Sequence, residues 1–178
     1  RRLEVMTRVE MEVESENSDL FKAEELDQES QKTIKRLYRE AQHAYFNGEN
    51  DLGKDLLIHS LNLQRRNLKS RKFLEFGWDL RPGMYTIEDM DSKYWKRSSI
   101  AFYGGQYMEA VQSLNVLTHI NNQNPLIYER LGSSYYQLGE TKKAIDAWKT
   151  ALFLNPKDKD LPGIIKKAET VLKEDEKR

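Results

Sequence analysis

Tyr128, Leu131, Gly132, Tyr135, Gly139, Ala144, Trp148, Ala151 and Pro156 place aromatic, small and apolar side chains at helical spacing on both sides of Gly139. That pattern predicts a helix, a turn at the glycine, a second helix and a stop. Asn155-Pro156 supplies the stop, because proline has no backbone donor and keeps the residue before it out of the helical region. Thr141 is placed to cap the second helix through its hydroxyl.

The same order recurs 34 residues earlier, at Tyr94, Ser98, Ala101, Gly105, Ala110, Leu114 and Leu117. A weaker copy runs through Leu37, Ala41, Ala44, Gly48, Gly53, Leu57 and Ser60. In this reading Gly132 faces Ala144, Ser98 faces Ala110 and Ala41 faces Gly53, so the two antiparallel helices of each unit approach closely. A large side chain at any of these places would push its pair apart. Gly48, Gly105 and Gly139 are assigned to the ends of the first helices, where a positive φ suits glycine.

These residues resemble the tetratricopeptide repeat, whose period is about 34 residues and whose signature runs aromatic, Leu-Gly, Tyr, Ala, aromatic, Ala and Pro. Residues 125–158 match every one of those positions. Residues 91–124 depart at Arg97-Ser98 and lack the terminal proline, and residues 34–67 keep mainly the small residues and the turn glycine. The resemblance implies an all-α fold, with helix-turn-helix repeats forming a short right-handed α-solenoid. It also implies a role in holding other proteins.

In that family the first helix of each pair lines a concave face. The resemblance therefore implies a groove stripe of Tyr38, Gln42 and Tyr45, then Trp95, Ser99 and Phe102, then Glu129, Ser133 and Tyr136. A different rotation of the helices would turn some of these rings into core. Chaperone-binding members clamp terminal carboxylates with lysine, arginine and asparagine along this stripe. Here the corresponding places hold Gln42, Ser99 and Ser133 flanked by aromatics, which argues against such a clamp and for an apolar protein or peptide segment as ligand.

Gly48 and Gly105 are 57 residues apart, so about 23 residues are inserted beyond one repeat length, near positions 68–90. The insertion carries Phe73, Phe76, Trp78, Met84, Tyr85 and Ile87 around Arg81-Pro82-Gly83, a sequence suited to a type II turn. Two readings stand. The aromatics patch an irregular junction of the repeats, or Phe73, Phe76, Trp78 and Tyr85 offer a secondary hydrophobic contact to another protein. Arg65, Arg66, Lys69, Arg71 and Lys72 read as a solvated helix face.

Leu3, Val5, Thr7, Val9, Met11 and Val13 alternate with charged or polar residues, the period of a half-buried strand. Glu10, Glu12, Glu14, Glu16, Asp19, Glu24 and Glu25 make residues 1–29 an acidic arm, with a disordered or helical state as the alternative to the strand. Residues 30–178 form the repeat domain. It closes on a capping helix over about 160–177, whose apolar face is assigned to Ile164, Ile165, Ala168, Val171 and Leu172. A partner-binding amphipathic tail is the alternative for that last segment.

Basic and acidic residues balance at 29 each, so no bulk attraction to nucleic acid or anionic membrane is expected. Cysteine is absent, which removes disulfides, thiolate metal sites and a cysteine nucleophile. His43, His59 and His119 fall in separate helices without ligand spacing, so no metal and no cofactor is expected. No phosphate loop, zinc-protease helix or serine elbow is present, and no catalytic residue is assigned. No apolar run approaches the roughly 18 residues of a membrane span, so the given chain reads as soluble, cytoplasmic or, for a processed fragment, periplasmic. It opens at Arg1 and not at Met, which reads as a processed form or a portion of something longer. The expected function is a protein-interaction or assembly scaffold, not an enzyme. The alternatives are a structural subunit of a homo- or hetero-oligomer joined through the N-terminal strand and the insertion, and a regulatory part of a larger enzyme.

Overall fold

A computed structural model describes residues 1–16 and 27–175. Among these residues the elements are all helices: α1 (Arg2–Glu16), α2 (Gln28–Asn47), α3 (Asn50–Leu63), α4 (Leu68–Trp78), α5 (Met90–Tyr103), α6 (Tyr107–Ile120), α7 (Pro125–Gln137), α8 (Thr141–Leu154) and α9 (Leu161–Asp175). The chain divides into two compact units, Arg1–Met90 and Asp91–Arg178.

In the first unit, Asp27 caps α2 by accepting the Ser30 backbone N–H at 2.9 Å and the Ser30 hydroxyl at 2.6 Å. The helix then buries Ile34, Leu37, Ala41, Ala44 and Tyr45, at spacings of one to four residues that keep them on one face. Gly48, with φ 85°, ends it, and α3 returns alongside. The crossing is close: a Cβ added to Gly53 would lie 3.4 Å from the Ala41 carbonyl oxygen and 2.9 Å from the Trp78 ring.

Half of the expected insertion is α4. Asn67 caps it by accepting the Ser70 N–H at 3.0 Å, and the buried Ser60 and Ser70 hydroxyls bond at 2.6 Å to tie α3 to α4. Phe73 and Leu74 are wholly buried. Ring centroids lie 5.7 Å apart for Tyr38 and Phe73, and 5.1 Å apart for Tyr45 and Trp78. The advancing order of these pairs shows that α2 and α4 run parallel. Of the aromatics that read as a patch on the repeats, Phe73, Phe76 and Trp78 are therefore borne on α4, which sits beside α2 with α3 antiparallel to both, and Tyr85 follows the turn. The turn at Arg81-Pro82-Gly83 forms as expected, with Met84 N–H donating to Arg81 O at 3.0 Å and Gly83 at φ 93°.

The N-terminal strand is a misreading, because residues 2–16 form helix α1. Met6, Val9 and Val13 are buried at helical spacings of three and four, while Leu3 and Met11 from the alternating set are 72% and 65% exposed. Met6 interrupts the alternation and with Val9 and Val13 makes a helical stripe, which packing against α4 selects. Asp19, Glu24 and Glu25 of the acidic arm lie outside the described residues.

In the second unit, the pairs α5–α6 and α7–α8 turn at Gly105 and Gly139, each at φ 76°. Ala101, Ala110, Leu114, Leu117, Ile127 and Leu131 belong to one buried cluster, and Ala144, Trp148, Ala151, Leu161 and Ile165 to a second. Helix α8 starts one residue earlier than a Thr141 cap would place it. Glu140 is the N-cap and makes no side-chain cap bond, its carbonyl accepting the Ala144 N–H at 3.0 Å. The apolar face of α9 is rotated from the expected one: Leu161, Ile165 and Ala168 are buried, and Ile164 and Val171 are 42% and 39% exposed.

Gly132 gives way to an indole rather than to Ala144. A Cβ there would fall 2.5 Å from Trp148 Cδ1 and 2.6 Å from Trp148 Nε1. Gly132→Ala must displace a buried ring wedged between two helices, and a loss of about 1–3 kcal/mol is expected. Thermal and urea unfolding of that variant measures it; an unchanged midpoint would mean that the indole has room to move.

Candidate functional site

In the second unit, Trp95, Ser99 and Phe102 share one face of α5, at spacings of four and three. Trp95 and Phe102 are half-buried and rest on the core cluster that includes Ala101 and Leu131. Arg130 of α7 reaches this face. Its guanidinium carbon lies 4.5 Å from the Trp95 ring centroid and 5.8 Å from that of Tyr103, and Nη1 donates to Ser99 Oγ at 2.6 Å. The cation is thereby stacked and oriented, yet among the described residues no carboxylate pairs with it.

Further along α7, the Glu129 carbonyl accepts both Ser133 Oγ at 2.9 Å and Trp148 Nε1 at 3.2 Å. Tyr136, 41% exposed, has its ring 5.7 Å from that of Trp148. Burial, and then the charge of Asp158, raise the Glu129 carboxyl above the ordinary glutamate value. Asp158 is held in place because its Oδ1 accepts the N–H groups of Asp160 and Leu161, both at 2.9 Å, where α9 begins. The unit thus has a stacked cation by α5 and an acidic pair by α9.

Arg130 was absent from the expected stripe. It follows Glu129 by one residue, about 100° round the helix, and only a long side chain brings its head back to α5. The available signal was that Glu129 and Arg130 are the charged residues of α7.

In the first unit, the expected residues Tyr38, Gln42 and Tyr45 lie on α2, with Tyr45 buried and the other two half-buried. Helix α1 packs on α4 and reaches Tyr38 and Tyr45 through its side chains. Arg2 lies 5.4 Å from the Tyr45 ring and donates to Phe46 O, while Glu10 is near enough to Tyr38 to oppose its ionisation. On the other side, Arg8 sits 4.0 Å over the Phe76 ring, and Lys72 approaches Glu12 at 3.5 Å. Both sets of contacts run in reverse order, so α1 is antiparallel to α2 and to α4.

Of the expected secondary contacts, Phe73 is wholly buried, and Phe76, Trp78 and Tyr85 are half-buried. Trp78 Nε1 donates to Asn50 Oδ1 at 3.0 Å. Two members of the basic run are engaged inside the unit, Arg71 donating to the Arg65 carbonyl and Lys72 pairing with Glu12. Among the described residues no group of three metal-ligating side chains occurs, and no helix is long and apolar enough to cross a membrane.

A sequence model of the tetratricopeptide repeat matches residues 125–158, the segment that forms α7 and α8. Residues 125–158 form a tetratricopeptide repeat. The chain is similar to anaphase-promoting complex subunit 3 of Dictyostelium discoideum, with 40% identity over 63 residues, which is 35% of this chain and 6% of that protein. Among solved structures it is similar to the first tetratricopeptide domain of human RPAP3 (15% identity, TM-score 0.46, covering 82% of this chain and 96% of that one). It is also similar to the first tetratricopeptide domain of Spaghetti (RPAP3) bound to an HSP90 peptide (17% identity, TM-score 0.44, covering 84% and 98%).

Burial, reinforced by Glu10, pushes the Tyr38 hydroxyl from 10.0 up to about 12. The folded state therefore holds this proton more tightly than the unfolded chain. The resulting stability is complete below about pH 10 and is lost as the pH rises toward about 12. Phenolate absorbance should show a tyrosine titrating near pH 12 that Tyr38→Phe removes. The same substitution should also blunt alkaline unfolding of the first unit. A titration unchanged by Tyr38→Phe would contradict the burial of that ring beside Phe73.

Proposed function

We propose that this tetratricopeptide-repeat chain is a protein-interaction module that captures an apolar segment of another protein on the α5–α7 face. One observation carries the reading. Arg130 is stacked on Trp95 and oriented by Ser99, with one hydrogen bond from its guanidinium among the described residues, beside the exposed ring of Tyr103 (78%). Rings flanking a preorganised, weakly hydrated cation suit a segment with large apolar anchors and one acidic side chain, which would complete the pairing of Arg130.

The opposite sign at the other end narrows the partner further. Glu129 and Asp158 already repel each other, so a run of acidic residues would be unfavourable there. A single acid among apolar residues fits better than a multiply acidic tail, in line with the expectation drawn from Gln42, Ser99 and Ser133. Assembly through an N-terminal strand has no strand to use among the described residues.

Affinity capture by immobilised chain, compared with Tyr103→Ala combined with Arg130→Gln, tests the site. Both side chains lie at the surface of their helices, so helicity and melting temperature should change little while retained partner falls roughly tenfold or more, as for removal of an anchor residue. Undiminished capture by the double variant would remove the assignment.

A further inference from the structure

We infer that the α2–α4 face of the first unit is a helix-binding site, and that α1 is its intramolecular ligand, exchangeable for an amphipathic helix of a partner with the same pattern. This goes beyond the α5–α7 reading and stands independently of it, since it concerns the first unit alone.

The α2–α3–α4 stack carries its own ties. Phe73 stacks with Trp78 at 5.3 Å and meets Tyr45 at 5.4 Å, Ser60 bonds Ser70, and Trp78 bonds Asn50. None of these involves α1. Helix α1 adds three buried apolar side chains, Met6, Val9 and Val13, with polar contacts along its edges. Its opposite side leaves Leu3 and Met11 in water. A helix held by one short apolar stripe and edge charges, running antiparallel across an aromatic face, has the geometry of a bound amphipathic ligand.

The contacts of α1 define what a competitor must carry. It needs apolar residues at the spacing of Met6, Val9 and Val13, with an arginine just before the central one to lie over Phe76. It also needs an acid three residues after the central one to meet Lys72. Helix α1 belongs to the same chain as the face it covers, so its docking is intramolecular and only such a matched helix displaces it.

The probe is a fluorescent peptide of residues 1–16, added to the full chain. Val9→Asp in the chain should undock α1 in place, because it puts a charge at a fully buried position. The peptide is expected to bind that variant saturably and to bind wild-type chain roughly tenfold or more weakly, since docked α1 occupies the face. A peptide carrying the same substitution should bind neither. Lack of binding to the Val9→Asp chain, with helices α2–α4 intact by circular dichroism, would overturn the proposal. So would a concentration-dependent wild-type dimer that exchanges α1, which would make the occupant another copy. Hydrogen exchange on wild-type chain keeps the test open should Val9→Asp fail to fold. Amides of α1 are expected to exchange faster than those of α3 and α4, and equal protection across the three would show α1 to be a fixed part of the core.

Discussion

In each unit a tryptophan ring occupies space that a glycine leaves vacant. Trp148 sits where a Cβ of Gly132 would be, and Trp78 presses against Gly53. An indole is the largest apolar surface a side chain can offer, and it contributes most when it meets backbone directly. Its N–H must still find a partner, and it does so in both places, at the Glu129 carbonyl and at Asn50. Each ring is therefore fixed in position, with Trp148 buried and Trp78 half-buried. The residues next to it inherit that position: Tyr136 beside Trp148, and Tyr45 and Phe73 beside Trp78.

The two units apply the same helix pairing to different ends. In the first, α4 lies parallel to α2, and α1 packs on α4 with Arg2 over the Tyr45 ring and Arg8 over the Phe76 ring. In the second, α7 sends Arg130 onto the face of α5, and what remains open is a cation between rings. Overall charge is balanced at 29 of each sign, so selectivity must come from where single charges are held. Arg130, Glu129 and Asp158 are placed by packing and by backbone hydrogen bonds, and local charges of that kind act over a few ångströms against the screening of salt.

The repeat was legible because its physical causes are local. A glycine at φ 76° in a turn, small residues every three or four positions and a proline after Asn155 act within one helix and its neighbour, so α7 and α8 lie where the motif placed them. The reading failed where two periods fit one stretch of sequence. Residues 3–13 alternate and also carry a stripe at Met6, Val9 and Val13, and only the surface they meet can choose between them. The rotation of α9 is the same kind of case: Ile164 and Ile165 are adjacent and equally apolar, and contact with α8 selects Ile165.

Sequence by itself determined that this chain forms helical pairs of tetratricopeptide type, because backbone preferences and side-chain size set the turns and the tight crossings. It also assigned Tyr38 and Tyr45, Trp95 and Phe102, and Tyr136 to the helices that carry them, α2, α5 and α7. Tertiary structure alone decided which of those rings stay open. That outcome depends on long-range contacts: Arg2 of α1 lying over Tyr45, Phe73 packing against Tyr38 and Tyr45, and Arg130 reaching 31 residues back along the chain to Ser99. Helical periodicity describes one helix at a time and carries no information about what the fold brings against it.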